Sequence, residues 1–335
     1  MTCFAIEWRV NPSTHSCVYC EHNNRRDIRI MSDTPSSSAA GRGLVGILIC
    51  IALGALVGLA GSASGLRLNT ALGAIPLFIL CGIVGFVLHW LIFVPSFLAQ
   101  TEHYFDLTGA LSFIGTILLA NWLAGATTED LRSLLLSGMV LAWSLRLGSF
   151  LFLRVKRAGQ DRRFNEIKTR FWRFLFTWTL GGLWVLITVA PVLAAITSAR
   201  SVPMNALAWI GVAIWLGGFL LEVVADRQKT AFRRDPANAE RFITSGLWSV
   251  SRHPNYLGEM ILWAGAALVA LPVLQSWQYL TLLSPVFVVF LIARISGIPM
   301  LEERADAKWG DDPAYQAYKR ATPVLVPGFK GRAEQ

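Results

Sequence analysis

Long apolar runs alternate with short polar stretches along this chain. Eight runs, near 43–61, 71–94, 108–125, 131–153, 174–196, 205–224, 257–274 and 278–298, are dominated by Leu, Ile, Val, Phe, Trp and Ala. Continuous spans of roughly 18 or more apolar residues are long enough to cross a bilayer as helices. A soluble core does not need stretches of that length. The pattern therefore predicts an all-α, polytopic integral membrane protein with about eight transmembrane helices. Small residues recur within the runs, as at Gly54, Gly58, Gly61 and Gly217-Gly218. Such residues let membrane helices approach closely. Residues 32–42 form a Ser/Ala/Gly linker, and there is no convincing internal repeat.

The polar connections sort by charge. Arg9, Arg25, Arg26, Arg29 and Arg42 precede the first run. The fourth connection carries Arg154, Lys156, Arg157, Arg162, Arg163, Lys168, Arg170 and Arg173, and the sixth Arg227, Lys229, Arg233, Arg234, Arg241 and Arg252. Arg304, Lys308, Lys319 and Arg320 lie in the tail, whereas the alternate connections hold only Arg67, Arg132 and Arg200. With an even number of spans every rich segment falls on one side, which the positive-inside rule makes cytoplasmic. The expectation is N-in and C-in. The second connection is the acidic one on that side, with Glu102, His103 and Asp106.

Composition agrees with this: 54% of the 335 residues are hydrophobic and 15% charged. The net charge of +9 is spread between apolar runs, which suits a lipid surface and topology rather than nucleic acid. Cys17-Val-Tyr-Cys20, with His15 and His22, has metal-ligand spacing, but no second cysteine pair follows and no metal site is expected. Residues 1–42 read as a disordered extension, and Met31 would serve equally well as a chain start.

One polar stretch, Thr244 to Glu259, interrupts the apolar pattern with dense chemistry. Gly246 can adopt backbone angles other residues avoid. Pro254 biases His253 away from helix and predicts a helix start near Asn255. Asn255 and Glu259, four apart, then share one face beside free N–H groups of the helix N-terminus. That setting suits a polar ligand. Upstream, Asp226, Arg233 and Arg241 offer a carboxylate and two guanidinium forks, which suit phosphate oxygens or simply mark a cytoplasmic loop.

Ser251-Arg-His-Pro-Asn-Tyr-Leu-Gly-Glu259 resembles the C-terminal signature of the membrane steroid 5α-reductase and sterol reductase superfamily, and most closely its bacterial branch. The resemblance runs from about Asp106 to Pro327. A related Arg-His-Pro-x-Tyr-x-Gly pattern occurs in isoprenylcysteine and phospholipid methyltransferases. The resemblance implies NADPH contacts from Asp226, Arg233, Arg241, Asn255, Glu259 and Trp263. His253 and Tyr256 would contact a phosphate or the nicotinamide, or serve as turn cap and interfacial aromatic. Glu302 matches a glutamate shared by reductase and methyltransferase tails, and Tyr315 and Tyr318 lie on a short amphipathic segment after it. One family position departs: Glu222 stands where the family has Asn. At the substrate end, Val94-Pro95-Ser96-Phe97 resembles a family run, but Ile92-Phe93 replace the family's Gln-Glu. That argues against reduction of a steroid enone and leaves Glu102 and His103 as the nearest candidate catalytic groups.

These readings divide the chain into the extension 1–42, N-terminal transmembrane helices 43–200 and a C-terminal cofactor-binding region 201–330. They imply an NADPH-dependent reductase of a C=C bond in a steroid-like or isoprenoid lipid, set in the bacterial inner membrane with its cofactor site facing the cytoplasm. The alternatives are an S-adenosylmethionine-dependent methyltransferase and a non-catalytic lipid-binding protein. Membrane lipids and a lipid-like small molecule are the expected partners.

Overall fold

The computed structural model describes residues 37–71, 73–125, 130–158 and 164–328. The Cys17/Cys20 pair, the disordered reading of residues 1–36, and Arg162 and Arg163 fall outside the described residues. The fold is all-α, and among the described residues eight helical segments are long and apolar enough to span a membrane. In chain order the elements are α1 (Ser37–Gly61), β1 (Arg67–Thr70), β2 (Gly73–Pro76), α2 (Leu77–Leu98), α3 (Phe105–Ala124), α4 (Leu131–Ala158) and α5 (Phe171–Ile196). They continue with α6 (Ala206–Arg234), α7 (Pro254–Ala270), α8 (Leu283–Phe290), α9 (Ile298–Trp309) and α10 (Pro313–Ala321).

Several boundaries differ from those expected. α1 begins at Ser37, so residues 37–42 of the expected disordered extension and linker are helical, with Ala39 and Ala40 as strong helix formers ahead of the apolar run. Residues 73–76 do not open the second span; they are one strand of a small antiparallel hairpin in which Arg67 pairs with Pro76 and Thr70 with Gly73. Gly73 takes φ +117° at that turn, a conformation few other residues tolerate. The sixth span runs ten residues further than 205–224, to Arg234. Its basic last turn suits the negative end of the helix dipole, and the extension puts Asp226, Lys229 and Arg233 on a helix rather than a loop. The eighth span is broken into a 3-10 stretch (Ser276–Leu282), α8, a π segment (Leu291–Ile295) and α9. Pro285 lies in the first turn of α8, where a missing N–H is harmless.

α5 is the axis of the bundle: 89% of its most apolar window is buried, against 22% for α1. α6 and α7 pack through glycines. A methyl group at Gly258 would lie 2.6 Å from the Gly218 carbonyl oxygen and 2.7 Å from the Glu222 nitrogen. One at Gly265 would lie 2.7 Å from the Gly211 oxygen. The glycines stand seven apart on both helices, so the backbones touch along two turns.

Contacts confirm the alternation of the spans. At one end Gln278 donates to the Gly61 carbonyl at 3.1 Å, and Gly65 bridges to Ser198. Buried Arg132 belongs to this end too. Its guanidinium donates to the carbonyls of Val202, Pro203 and Val269. The last carbonyls of a helix lack intrahelical partners, and Arg132 supplies one to α7. The opposite end gathers the basic residues and the motif described next.

Candidate functional site

The polar stretch before α7 is pinned to α6. Gly246 has φ +61°, and a side chain there would strike Gln228. Leu247 N–H donates to Gln228 Oε1 at 2.9 Å, and Trp248 Nε1 to the Ala225 carbonyl at 3.1 Å. Lys229 Nζ sits 4.3 Å from the centre of the Trp248 ring. α7 begins at Pro254 with His253 before it, one residue from the expected start.

Close α6–α7 packing then brings four acidic or amide groups together. Asn255 Nδ2 donates to Asp226 Oδ1 at 3.2 Å, as the shared face of Asn255 and Glu259 anticipates. Glu222, Asp226 and Glu259 are all buried. Glu259 and Asp226 lie within electrostatic range of Glu222. Three neighbouring carboxylates require a cation, and α4 provides it. Arg146 Nη1 stands 2.6 Å from Glu222 Oε1, while its Nη2 pairs with Asp226. Trp143 Nε1 donates to the second Glu222 oxygen at 3.2 Å. The buried charge of Glu222 is thus compensated within the fold.

Arg146 is a site residue that motif reasoning missed. The signal was present: an arginine midway along an apolar run must find a partner or water. Trp263, on α7, forms the floor of the cluster. It is 1% exposed, stacks on Phe113 at 5.8 Å and meets Trp143 edge-on at 5.0 Å. Its indole N–H has no hydrogen-bond partner among the described residues.

Above the carboxylates lies a cationic rim. Lys229 is within electrostatic range of Arg154, Arg233 and Asp226, and Arg233 of Arg154. Among the described residues Arg154 pairs with Asp106 alone, at 4.0 Å. Arg233 makes no ion pair among the described residues. Three cations converging with so little compensation attract an anion. Arg241 is exposed beyond the end of α6, and its side chain bonds to no described residue. Lys229 and Arg154 stand in the rim with Arg233.

His253 faces the tail. Its Nε2 lies 2.8 Å from Glu302 Oε1, Arg252 Nη2 lies 3.2 Å from the other oxygen, and Lys319 Nζ is at 3.8 Å. Burial pushes the imidazole below its ordinary pKa, and the bond to Glu302 opposes this in part. A neutral ring facing a carboxylate carries its proton on Nε2. The buried Nδ1, which has no partner among the described residues, is then an acceptor and cannot donate to a phosphate. Tyr256 stacks on His253 with centres 5.7 Å apart.

Tyr315 and Tyr318 brace the tail rather than cover a pocket. Tyr315 donates to Asp306 at 3.2 Å and Tyr318 to the Trp248 carbonyl at 2.6 Å. Burial raises both phenols, Tyr318 to about 12, so they remain neutral donors. The tail also meets the motif through its backbone: Arg252 N–H donates to the Pro323 carbonyl at 3.0 Å.

Glu102 and His103 lie on the α2–α3 connection. Buried Glu102 accepts from Lys168 at 2.8 Å, which ties this connection to the fourth. His103 Nδ1 is 2.7 Å from Thr101 Oγ1. The acidic residue that approaches the rim is Asp106, through Arg154.

No curated protein matches the chain. A family described as a protein of unknown function (DUF1295) matches residues 92–322, which takes in the whole α3–α10 framework and every site residue named above. The chain therefore belongs to the DUF1295 family, as an all-α member of eight apparent membrane spans whose α4, α6 and α7 assemble the polar cluster.

Proposed function

We propose that the chain is an NADPH-dependent reductase of the bacterial inner membrane, acting on a C=C bond of a lipid-like substrate and resembling the steroid 5α-reductase superfamily. The carrying observation is the layered site, with an undercompensated rim of Arg154, Lys229 and Arg233 above a buried amide and carboxylate cluster. By the positive-inside rule the rim faces the cytoplasm, where a soluble nucleotide can reach it. The residues fit such a guest. The rim would hold its phosphates. The buried Trp263 N–H and His253 Nδ1 offer one donor and one acceptor without partners. Asn255, Asp226 and Glu259 would take ribose or amide groups. NADPH, when bound, supplies a hydride. The protein's part is to orient the nucleotide, exclude water around Trp263 and admit a proton from the side of Asp106 and His103.

S-adenosylmethionine is the second reading, and the acidic cluster favours it. Glu222, Asp226 and Glu259 suit a sulfonium and an ammonium better than a phosphate. The rim decides between the two, because a methyl donor carries no phosphate.

Thermal unfolding of the purified full chain with NADPH, NADH or S-adenosylmethionine tests this. NADPH is expected to stabilise. Lys229→Met and Arg233→Ala should each weaken it by roughly 1.5–3 kcal/mol, the range for hydrogen bonds to charged groups. Arg241→Ala should leave it nearly unchanged. Stabilisation by S-adenosylmethionine alone would establish the methyltransferase reading, and no nucleotide binding at all would leave a lipid-binding protein.

A further inference from the structure

A cavity lies on the side of α5 away from the polar cluster. It is a groove of about 900 Å³ between α1, α5 and the 3-10 stretch and α8 of the eighth span. Its walls are aliphatic and aromatic, with Ile49, Leu53, Leu183, Ile187 and Phe287 among them, and Arg42 is the one charged residue lining it among the described residues. Two hydroxyls also line it, but both are committed to the protein: Thr281 donates to the Gln278 carbonyl at 2.6 Å and Ser284 to the Thr188 carbonyl at 2.7 Å. The groove therefore asks for no polar group along its length and for an anion at one end.

Its dimensions match a bilayer. The α1 wall runs from Gly41 to Ala60. At roughly 1.5 Å per residue this is close to the ~30 Å hydrocarbon thickness. Arg42 stands at the basic end of the bundle, beside Trp172, whose Cβ a methyl at Gly43 would approach to 2.9 Å. An arginine with a neighbouring tryptophan at the end of a span marks headgroup depth.

The groove is separate from the polar site. Leu183 and Ile187 line it, while Trp184 between them points the other way and packs on Phe113 at 5.0 Å, in the aromatic layer around Trp263. α1 also precedes the family-matched residues.

We propose that the groove holds one membrane glycerophospholipid, with its acyl chains along α1 and its phosphate at Arg42. The guest is a bound lipid of the scaffold and not the molecule transformed at the polar site, so the assignment is independent of the reductase reading. An anionic headgroup is favoured because Arg42 brings one cation without a carboxylate partner among the described residues.

The test is native mass spectrometry of the full chain from nanodiscs containing equal amounts of phosphatidylglycerol and phosphatidylcholine. One lipid should be retained per chain, with phosphatidylglycerol preferred. Arg42→Gln, at an exposed position, should reduce that preference about fivefold, the usual effect of one basic residue at an anionic lipid surface. Leu53→Trp fills the middle of the groove and should abolish retention, whereas Leu145→Trp, on the exposed face of α4, should not. The proposal is overturned if no lipid is retained, or if Leu53→Trp retains as much as the wild type. Equal retention of both phospholipids, a free fatty acid as guest, or a second copy of the chain covering the groove would overturn it too.

Discussion

The α6–α7 pair and the packing of α1 against α2 and α5 both run through glycines, and they do opposite things with them. On α6 and α7 the glycines face glycines, so backbone meets backbone and no side chain can adjust. On α1 three of them face rings: Gly46 takes the edge of Phe176 on α5, and Gly54 and Gly61 take those of Phe86 and Phe78 on α2. A ring in a glycine notch can tilt, and beside it the groove remains open. The first arrangement fixes Glu222 against Gly258 and so places Asn255, Asp226 and Glu259 within reach of one another. The second holds a peripheral helix loosely and leaves space for a chain-like guest. Small residues in membrane helices create precision only when both faces are small.

Removing the cation of the rigid pair should have the largest effect. Arg146→Met strands Glu222 and Asp226, both buried and acidic. Breaking a buried ion pair costs roughly 3–5 kcal/mol, and the 19% exposure of the Arg146 side chain places it at the low end, about 3 kcal/mol. Denaturant unfolding in detergent measures this; a loss below about 1 kcal/mol would show that the carboxylates are compensated elsewhere.

Glycine substitutions sharpen the comparison directly. Gly258→Ala forces apart two backbones and should cost about 1–3 kcal/mol, as overpacking does. Gly46→Ala meets only the movable Phe176 ring and should cost less than about 1 kcal/mol. Equal losses would mean that the two interfaces are equally rigid.

Acidification should loosen the tail clasp. The folded His253 pKa lies below its ordinary value of 6.5, so the native state binds fewer protons than the unfolded chain. Its contribution to stability is complete above 6.5 and is lost as pH falls through the lowered folded value. His253→Gln should flatten the pH dependence of the melting temperature in that window. A melting temperature that rises on acidification, and does so only with His253 present, contradicts the sign.

The smallest effect is expected at Gly217, where a methyl group meets nothing within 4 Å. Gly217→Ala should change stability by no more than about 0.5 kcal/mol, although Gly218→Ala next to it should behave like Gly258→Ala. A large loss at Gly217 would place a partner on that face.

Much of the site was legible from short-range pattern. Pro254 and the spacing of Asn255 and Glu259 announced a polar helix face, and Asp226 joined it through Asn255. Arg146, Lys229 and Arg154 were not legible in the same way. Arg146 is 80 residues from Asp226 in the chain, and nothing local to either says that they meet. Lys229 looked like one basic residue among several until the extension of α6 past residue 224 set it over Trp248.

What the amino-acid sequence alone determined is the all-α, eight-span architecture and the end at which the basic residues collect. Insertion of a span depends on the summed transfer energy of contiguous residues and on the cations flanking it, and both are local quantities. What only the tertiary structure decided is which charges meet, which glycines touch backbone and which touch a ring, and where space remains. Those depend on distances between helices far apart in the chain, where about 1 Å separates a salt bridge from a solvated pair and a closed interface from a groove.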